Sequence, residues 1–180
     1  MTAVVSAEPV DTAPEIHLGF RHRQAVSLIQ DFYPDGMPED WRSSYLVMMT
    51  QAIWVDDRDS DLSEILTAII DAPGRVLTVW STDDTAQAEH WQAEHPEQSL
   101  IVLTPTTAIW TPDAENTSSW TGGARVALVP GSDQPAQIRA WIEQFMRQAP
   151  VGPCALFIDG ETPSVATLDR LRTLIELLGL

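Results

Sequence analysis

Apolar residues along this chain fall into short continuous runs that alternate with stretches of helical spacing. The runs are Ile16–Phe20, Ala52–Val55, Arg75–Ser81, Ser99–Thr104, Arg125–Val129 and Ala155–Ile158, and each predicts a strand. A short apolar run bounded by turn residues is how a strand covered on both faces reads. Between them lie the helices. Trp41, Tyr45, Met48 and Met49 share one side of a predicted helix from Trp41 to Met49. Leu62, Ile65, Leu66, Ile69 and Ile70 make the next helix face, opened by Asp61 and Glu64 in a capping-box pattern and stopped by Pro73-Gly74. Thr85 to Glu94 reads as a polar helix. Pro135 opens a helix with Ile138, Trp141, Ile142, Phe145 and Met146 on one face. Pro163 opens the last, with Val165, Leu168, Leu171, Ile175 and Leu178. Residues 105–123 read as a long loop with a short strand at Ala108-Ile109-Trp110.

Strands alternating with helices predict an α/β fold of parallel strands joined by crossover helices. Two architectures satisfy that pattern. One is an open doubly wound sheet. The other is a shortened or degenerate TIM-like barrel, since a full barrel takes about 250 residues and this chain has 180. Residues 1–15 read as a loose polar tail and 16–180 as one domain.

Composition narrows the chemistry. No run of apolar residues is long enough to span a bilayer, and the N-terminal stretch lacks a basic region, so a cytoplasmic location and no membrane partner are expected. Cys154 stands alone, which excludes an internal disulfide. A net charge of -16 repels polyanions, so no nucleic acid is expected as a partner. All ten cationic residues are arginine. Without a lysine there is no Schiff base, no pyridoxal phosphate anchor, no Walker A loop and no kinase site. No cofactor is expected.

In parallel α/β folds ligands sit at the carboxyl ends of the strands. That rule selects Phe20, Arg21 and His22 after strand one, where Arg21 and Arg23 flank His22 and suit an anion. It selects Asp56 and Asp57 after strand two, Trp80 to Asp84 after strand three, and Thr104 and Thr106 after strand four. Pro130 to Ser132 follow strand five, and Asp159 and Glu161 follow strand six. Asp56 or Asp57 paired with Asp159 or Glu161 suits acid/base hydrolysis if the carboxyls lie about 5–10 Å apart. Asp57, Asp59 and Asp61 start like a calcium loop, but Leu62 and Ala68 occupy its glycine and glutamate positions. These acids read instead as helix N-terminal charges, and no metal site is expected. His90 and His95 are five residues apart, the wrong spacing for one helix face. Gly131-Ser132-Asp133 before Pro135 reads as a helix cap. Trp54, Trp80, Trp110 and Trp120 line either one aromatic cleft or the core.

One stretch carries a family resemblance. Gly19 on the first strand is followed by Phe32-Tyr33-Pro34, then by Gly36-Met37-Pro38, Trp41 and Tyr45. This resembles the opening of the YecE-like family of TIM-barrel proteins, a domain of unknown function. There a strand with a Gly-Thr motif leads through a tryptophan-containing loop to Phe-Tyr-Pro. The resemblance spans residues 16–57 and implies a barrel whose pocket includes Tyr33. The departures are specific. Phe20 replaces a small polar residue, Arg23 stands near the family's tryptophan, Trp54 stands at its glutamate, and Trp80 at its lysine. The resemblance therefore implies a family-like fold with a rewritten pocket, its ligand contacts drawn from Arg21, His22, Arg23, Tyr33, Trp54 and Trp80. The expected function is binding, of a small molecule or a protein. An acid/base hydrolase using Asp56, Asp57, Asp159 and Glu161 is the alternative, and a homo-oligomeric assembly component a further one.

Overall fold

The computed structural model describes residues 14–21, 31–112, 124–130, 134–159 and 165–179. The six strands are β1 (Pro14–Phe20), β2 (Ala52–Asp56), β3 (Leu77–Ser81), β4 (Ser99–Leu103), β5 (Val126–Pro130) and β6 (Gly152–Asp159). The helices are α1 (Glu39–Met49), α2 (Leu62–Asp71), α3 (Ala86–Glu94), α4 (Pro135–Met146) and α5 (Val165–Leu178). Each of the six apolar runs forms a strand. β6 starts three residues before the predicted Ala155, because Gly152 turns the chain at φ 96°, a conformation suited to glycine. The capping pair before α2 does not form. Asp61 makes no side-chain cap bond, and Glu64 instead accepts the hydroxyl of buried Ser43 at 2.6 Å. That bond ties α2 to α1. Arg172 of α5 donates to the Met49 carbonyl at 3.2 Å, placing a cation at the negative end of α1.

All ladders are parallel, in the orders β1-β6-β5 and β2-β3-β4. β1 and β6 pair along their length, from Pro14 opposite Gly152 to Phe20 opposite Ile158. The sheets approach each other at β1 and β2. Gln51 N donates to the Leu18 carbonyl at 3.0 Å, and Leu18 N donates to the Gln51 side-chain oxygen at 3.3 Å. A side chain here replaces the next rung. The backbones come this close because residue 19 is glycine: a Cβ there would sit 2.8 Å from Phe157 Cε1 and closer still to the Ala52 carbonyl oxygen. Among the described residues no ladder joins β1 to β2 or β4 to β5. The described strands therefore make two sheets whose ladders do not close into a barrel, an arrangement the open alternative allows. Trp110 adds a single parallel bridge to Ala127, all that forms of the predicted strand at 108–110.

Two apolar clusters hold the fold together. In the larger, side chains from all five helices pack on Leu18, Phe20, Val55, Trp80, Val129, Leu156 and Ile158. The smaller contains no helical residue. Ala52, Trp54, Leu77, Val79, Leu103, Val126, Leu128, Ala155 and Phe157 meet there, with Ile101 and Ile109 against them. Alternate residues of β2 to β6 thus serve different clusters, which explains their continuous apolar runs, whereas β1 contributes only to the larger one.

Cys154 belongs to the helix-facing cluster and is fully buried. Its thiol lies 3.5 Å from the Pro150 carbonyl. Burial pushes its pKa up from 9.0 to about 11, with Arg125 offsetting part of the rise. A raised thiol pKa favours folding while the unfolded chain keeps its proton. Stability is therefore lost as pH rises from about 9 to about 11, by roughly 2–3 kcal/mol. Urea unfolding should show a decline over that window, absent in Cys154→Ala. At pH 8 the native thiol should stay inert to a disulfide reagent until the protein is unfolded.

Candidate functional site

The carboxyl ends of the strands carry two separate polar clusters. The first joins β1, β2 and β6. Arg21 follows β1, and its N–H donates to the Ile158 carbonyl at 3.2 Å. Its guanidinium lies 5.2 Å above the Trp54 ring and donates to Asp159 Oδ2 at 3.1 Å. Trp54 in turn meets Phe157 edge-on at 5.4 Å. The stack of arginine, indole and phenyl ring caps the helix-free cluster. Arg21 and Asp159 are about two-thirds buried (35% and 32% exposed), and Arg21 lies over Trp54. The expected role of Arg21 as an anion ligand meets Asp159 already in place. His22, Arg23 and Glu161 lie outside the described residues.

The second cluster joins β2 and β3. Asp57 Oδ1 accepts the Trp80 indole N–H at 2.5 Å, and its other oxygen accepts the Thr82 hydroxyl. Thr82 Oγ1 also accepts the Asp84 N–H at 2.9 Å. Both oxygens of Asp57 therefore clamp the β2 end to the β3 end. Asp56 accepts the Arg58 N–H at 3.0 Å, and Asp59 closes the turn by accepting the Asp56 N–H at 2.8 Å. Arg58 bridges Asp83 at 2.8 Å in solvent. Asp56, Asp57, Arg58, Ser81, Thr82 and Asp83 line one polar depression of about 270 Å³. Asp159 is not among them. Arg21 holds Asp159 and Trp80 holds Asp57, so the two carboxylates of the expected acid/base pair lie in different clusters on different sheets.

The tryptophans likewise do not share a cleft. Trp54 faces the helix-free cluster, whereas Trp80 and Trp110 face the helices. Trp80 is fully buried with its ring 6.1 Å from Trp91, and Trp110 packs 5.7 Å from Phe145. Trp120 and the Gly131-Ser132-Asp133 turn lie outside the described residues. Tyr33 sits in an aromatic cluster with Phe32 and Tyr45, under the Arg42 guanidinium at 5.6 Å, and Phe32 in turn packs on Phe20 at the end of β1. His90 is exposed beside Glu94, while the His95 ring meets Trp91 at a tilt, with centroids 5.4 Å apart. Among the described residues no group of three or more His, Cys, Asp or Glu is placed to hold a metal ion. No helix among them is long and apolar enough to cross a membrane.

The larger concavity was not among the residues chosen from strand ends. It is a solvent-open groove of about 660 Å³ on α1, lined by Met37, Asp40, Trp41, Ser44, Tyr45 and Met48. α1 buries Ser43, Leu46 and Val47 on its inner side. The face carrying Trp41 and Met48 turns outward, leaving them 64% and 62% exposed. Tyr45 joins the two sides: it packs 5.4 Å from buried Phe32 and also forms the groove floor. The sequence signal was present, since Trp41, Tyr45 and Met48 share that helical face. What it lacked was any sign that Ser43 would be the inward residue. Comparison of the chain with family models, with curated proteins and with solved structures finds no match.

Proposed function

We propose that this protein is a non-catalytic binding protein that docks a macromolecular partner through the outward face of α1. The exposed Trp41 and Met48 beside half-buried Tyr45 carry this reading. An exposed tryptophan-bearing apolar patch on a water-facing helix is a mark of an interaction surface. The hydrolase alternative has less support. Both oxygens of Asp57 are occupied by Trp80 and Thr82, and Asp159 by Arg21.

The accompanying fold reading is a shortened barrel akin to the YecE-like family. The order β5-β6-β1 followed by β2-β3-β4 advances in one direction around the strands. All five helices pack in one cluster while the other holds strand side chains and Ile109. That distribution is the one a barrel interior requires. Arg21 over Trp54 then closes the mouth that the family uses as a pocket, which moves binding to the outer surface.

A photo-crosslinking residue at position 41, expressed in the source cells, tests the function. One protein should be captured, its capture lost with Met48→Glu and kept with Asp159→Asn. Hydrolysis of a chromogenic glycoside panel that disappears in Asp159→Asn but survives Trp41→Ala would sink the reading.

A further inference from the structure

The groove on α1 has a definite shape and charge. Trp41, Ser44, Tyr45 and Met48 follow one another at i, i+3, i+4 and i+7, so they form one stripe along the helix. Met37 extends the stripe beyond the helix start, and Asp40 edges it. A stripe of this spacing is matched by the apolar stripe of another helix, as ridges of one enter grooves of the other. α1 has eleven residues, about 16 Å, or three turns of such contact.

The surroundings are acidic at the N-terminal end of α1, while Arg172 stands at the opposite end, on the Met49 carbonyl. Asp31, Asp35, Glu39 and Asp40 are exposed within and just before α1. The only cation of the stretch 31–49 is Arg42, whose guanidinium lies over the Tyr33 ring. The whole chain carries -16. A second copy would bring like charge against like charge, and an anionic lipid surface would meet the same repulsion. A cationic partner gains from both features.

From the stripe and its acidic rim we infer that the groove binds a basic amphipathic helix of a partner protein. The inference rests on the interaction function proposed above and names the chemistry of its partner. The partner's apolar residues lie on Trp41, Tyr45 and Met48. Its Lys or Arg side chains flank Asp40 and Glu39.

Titration of the full-length protein with fluorescein-labelled peptides of about five helical turns tests this. One peptide carries a leucine stripe on a lysine background. A second has the same composition scrambled to remove the stripe. A third carries the leucine stripe on a glutamate background. The leucine/lysine peptide should bind with 1:1 saturation. Trp41→Ala combined with Met48→Ala should weaken it tenfold or more, and Asp40→Asn combined with Glu39→Gln severalfold. Half-molar salt should weaken it further. Equal binding of the scrambled peptide would reduce the effect to bulk charge and overturn the inference. Equal or tighter binding of the leucine/glutamate peptide would overturn the partner class while leaving an interaction groove in place. A dimer in light scattering that is lost in the Trp41/Met48 variant would assign the groove to a second copy instead. Binding of neither peptide, with the protein monomeric, would overturn the inference and remove the support for the interaction function.

Discussion

Gly19→Ala is expected to destabilise the protein by about 3–4 kcal/mol, near the upper end for a single added methyl group. The new Cβ would overlap the Ala52 carbonyl oxygen and lie 2.8 Å from Phe157 Cε1. A ring can rotate away, but the carbonyl belongs to the backbone at the start of β2. Moving it pulls on the 3.0 Å bond from Gln51 N to the Leu18 carbonyl and on the Gln51 side chain that stands in for the next rung. Both of these bonds join the two sheets at that point. Urea unfolding followed by tryptophan fluorescence gives the loss directly. A double variant separates the two contacts. Adding Phe157→Leu relieves the ring but not the oxygen, so it should restore little. A cost below about 1 kcal/mol for Gly19→Ala would mean that the strands do not approach this closely.

Trp80→Ala should cost about 4–5 kcal/mol. Trp80 is fully buried, packs edge-on to Trp91 at 6.1 Å and anchors Asp57 through its indole N–H. Removing it opens a large cavity beneath α3 and also strips one oxygen of Asp57 of its donor. The two losses can be divided. Trp80→Phe keeps most of the packing but abolishes the hydrogen bond, and about 1–3 kcal/mol is expected for it. If Asp57 serves mainly as the clamp for Trp80 and Thr82, Asp57→Asn in the Trp80→Phe background should add little. A large additional loss in that double variant would show that Asp57 has another partner of weight.

The strands and most helices were legible because their signals are local. The first-turn proline of α4 and the runs at Ala52 and Ser99 each specify an element without reference to the rest of the chain. Pairing was not legible in the same way. Six apolar runs read alike, and nothing in them says that β1 lies against β6. The capping pair Asp61 and Glu64 failed for a tertiary reason, since the buried hydroxyl of Ser43 claimed Glu64. The candidate site shows the same division. The strand-end rule did select Arg21 and Asp159, which meet in the fold, while Trp54 beneath Arg21 was named through the family resemblance. It also proposed Asp57 as an acid or base, because a sequence does not reveal that an indole N–H and a hydroxyl occupy both oxygens. The groove on α1 was overlooked because an amphipathic stripe suggests burial. Only the inward turn of Leu46 and Val47 shows that the Trp41 side is left to solvent.

The pairing of β1 with β6 also bears on how the chain assembles as it is made. β2, β3 and β4 are consecutive in sequence, with α2 and α3 between them, so their sheet can form soon after Leu103 is synthesised. β1 is made first, yet its only ladder partner among the described strands is β6, more than 130 residues later. The first strand must wait for its ladder partner until β6 has been made, held in the meantime by its contacts at Gln51. Closing so long a loop is slow, and an apolar strand kept waiting is exposed to wrong partners. Pulse-labelled hydrogen exchange during refolding should therefore protect β2, β3 and β4 before β1, β5 and β6. A chaperone that holds nascent chains should help this protein most while β1 awaits β6.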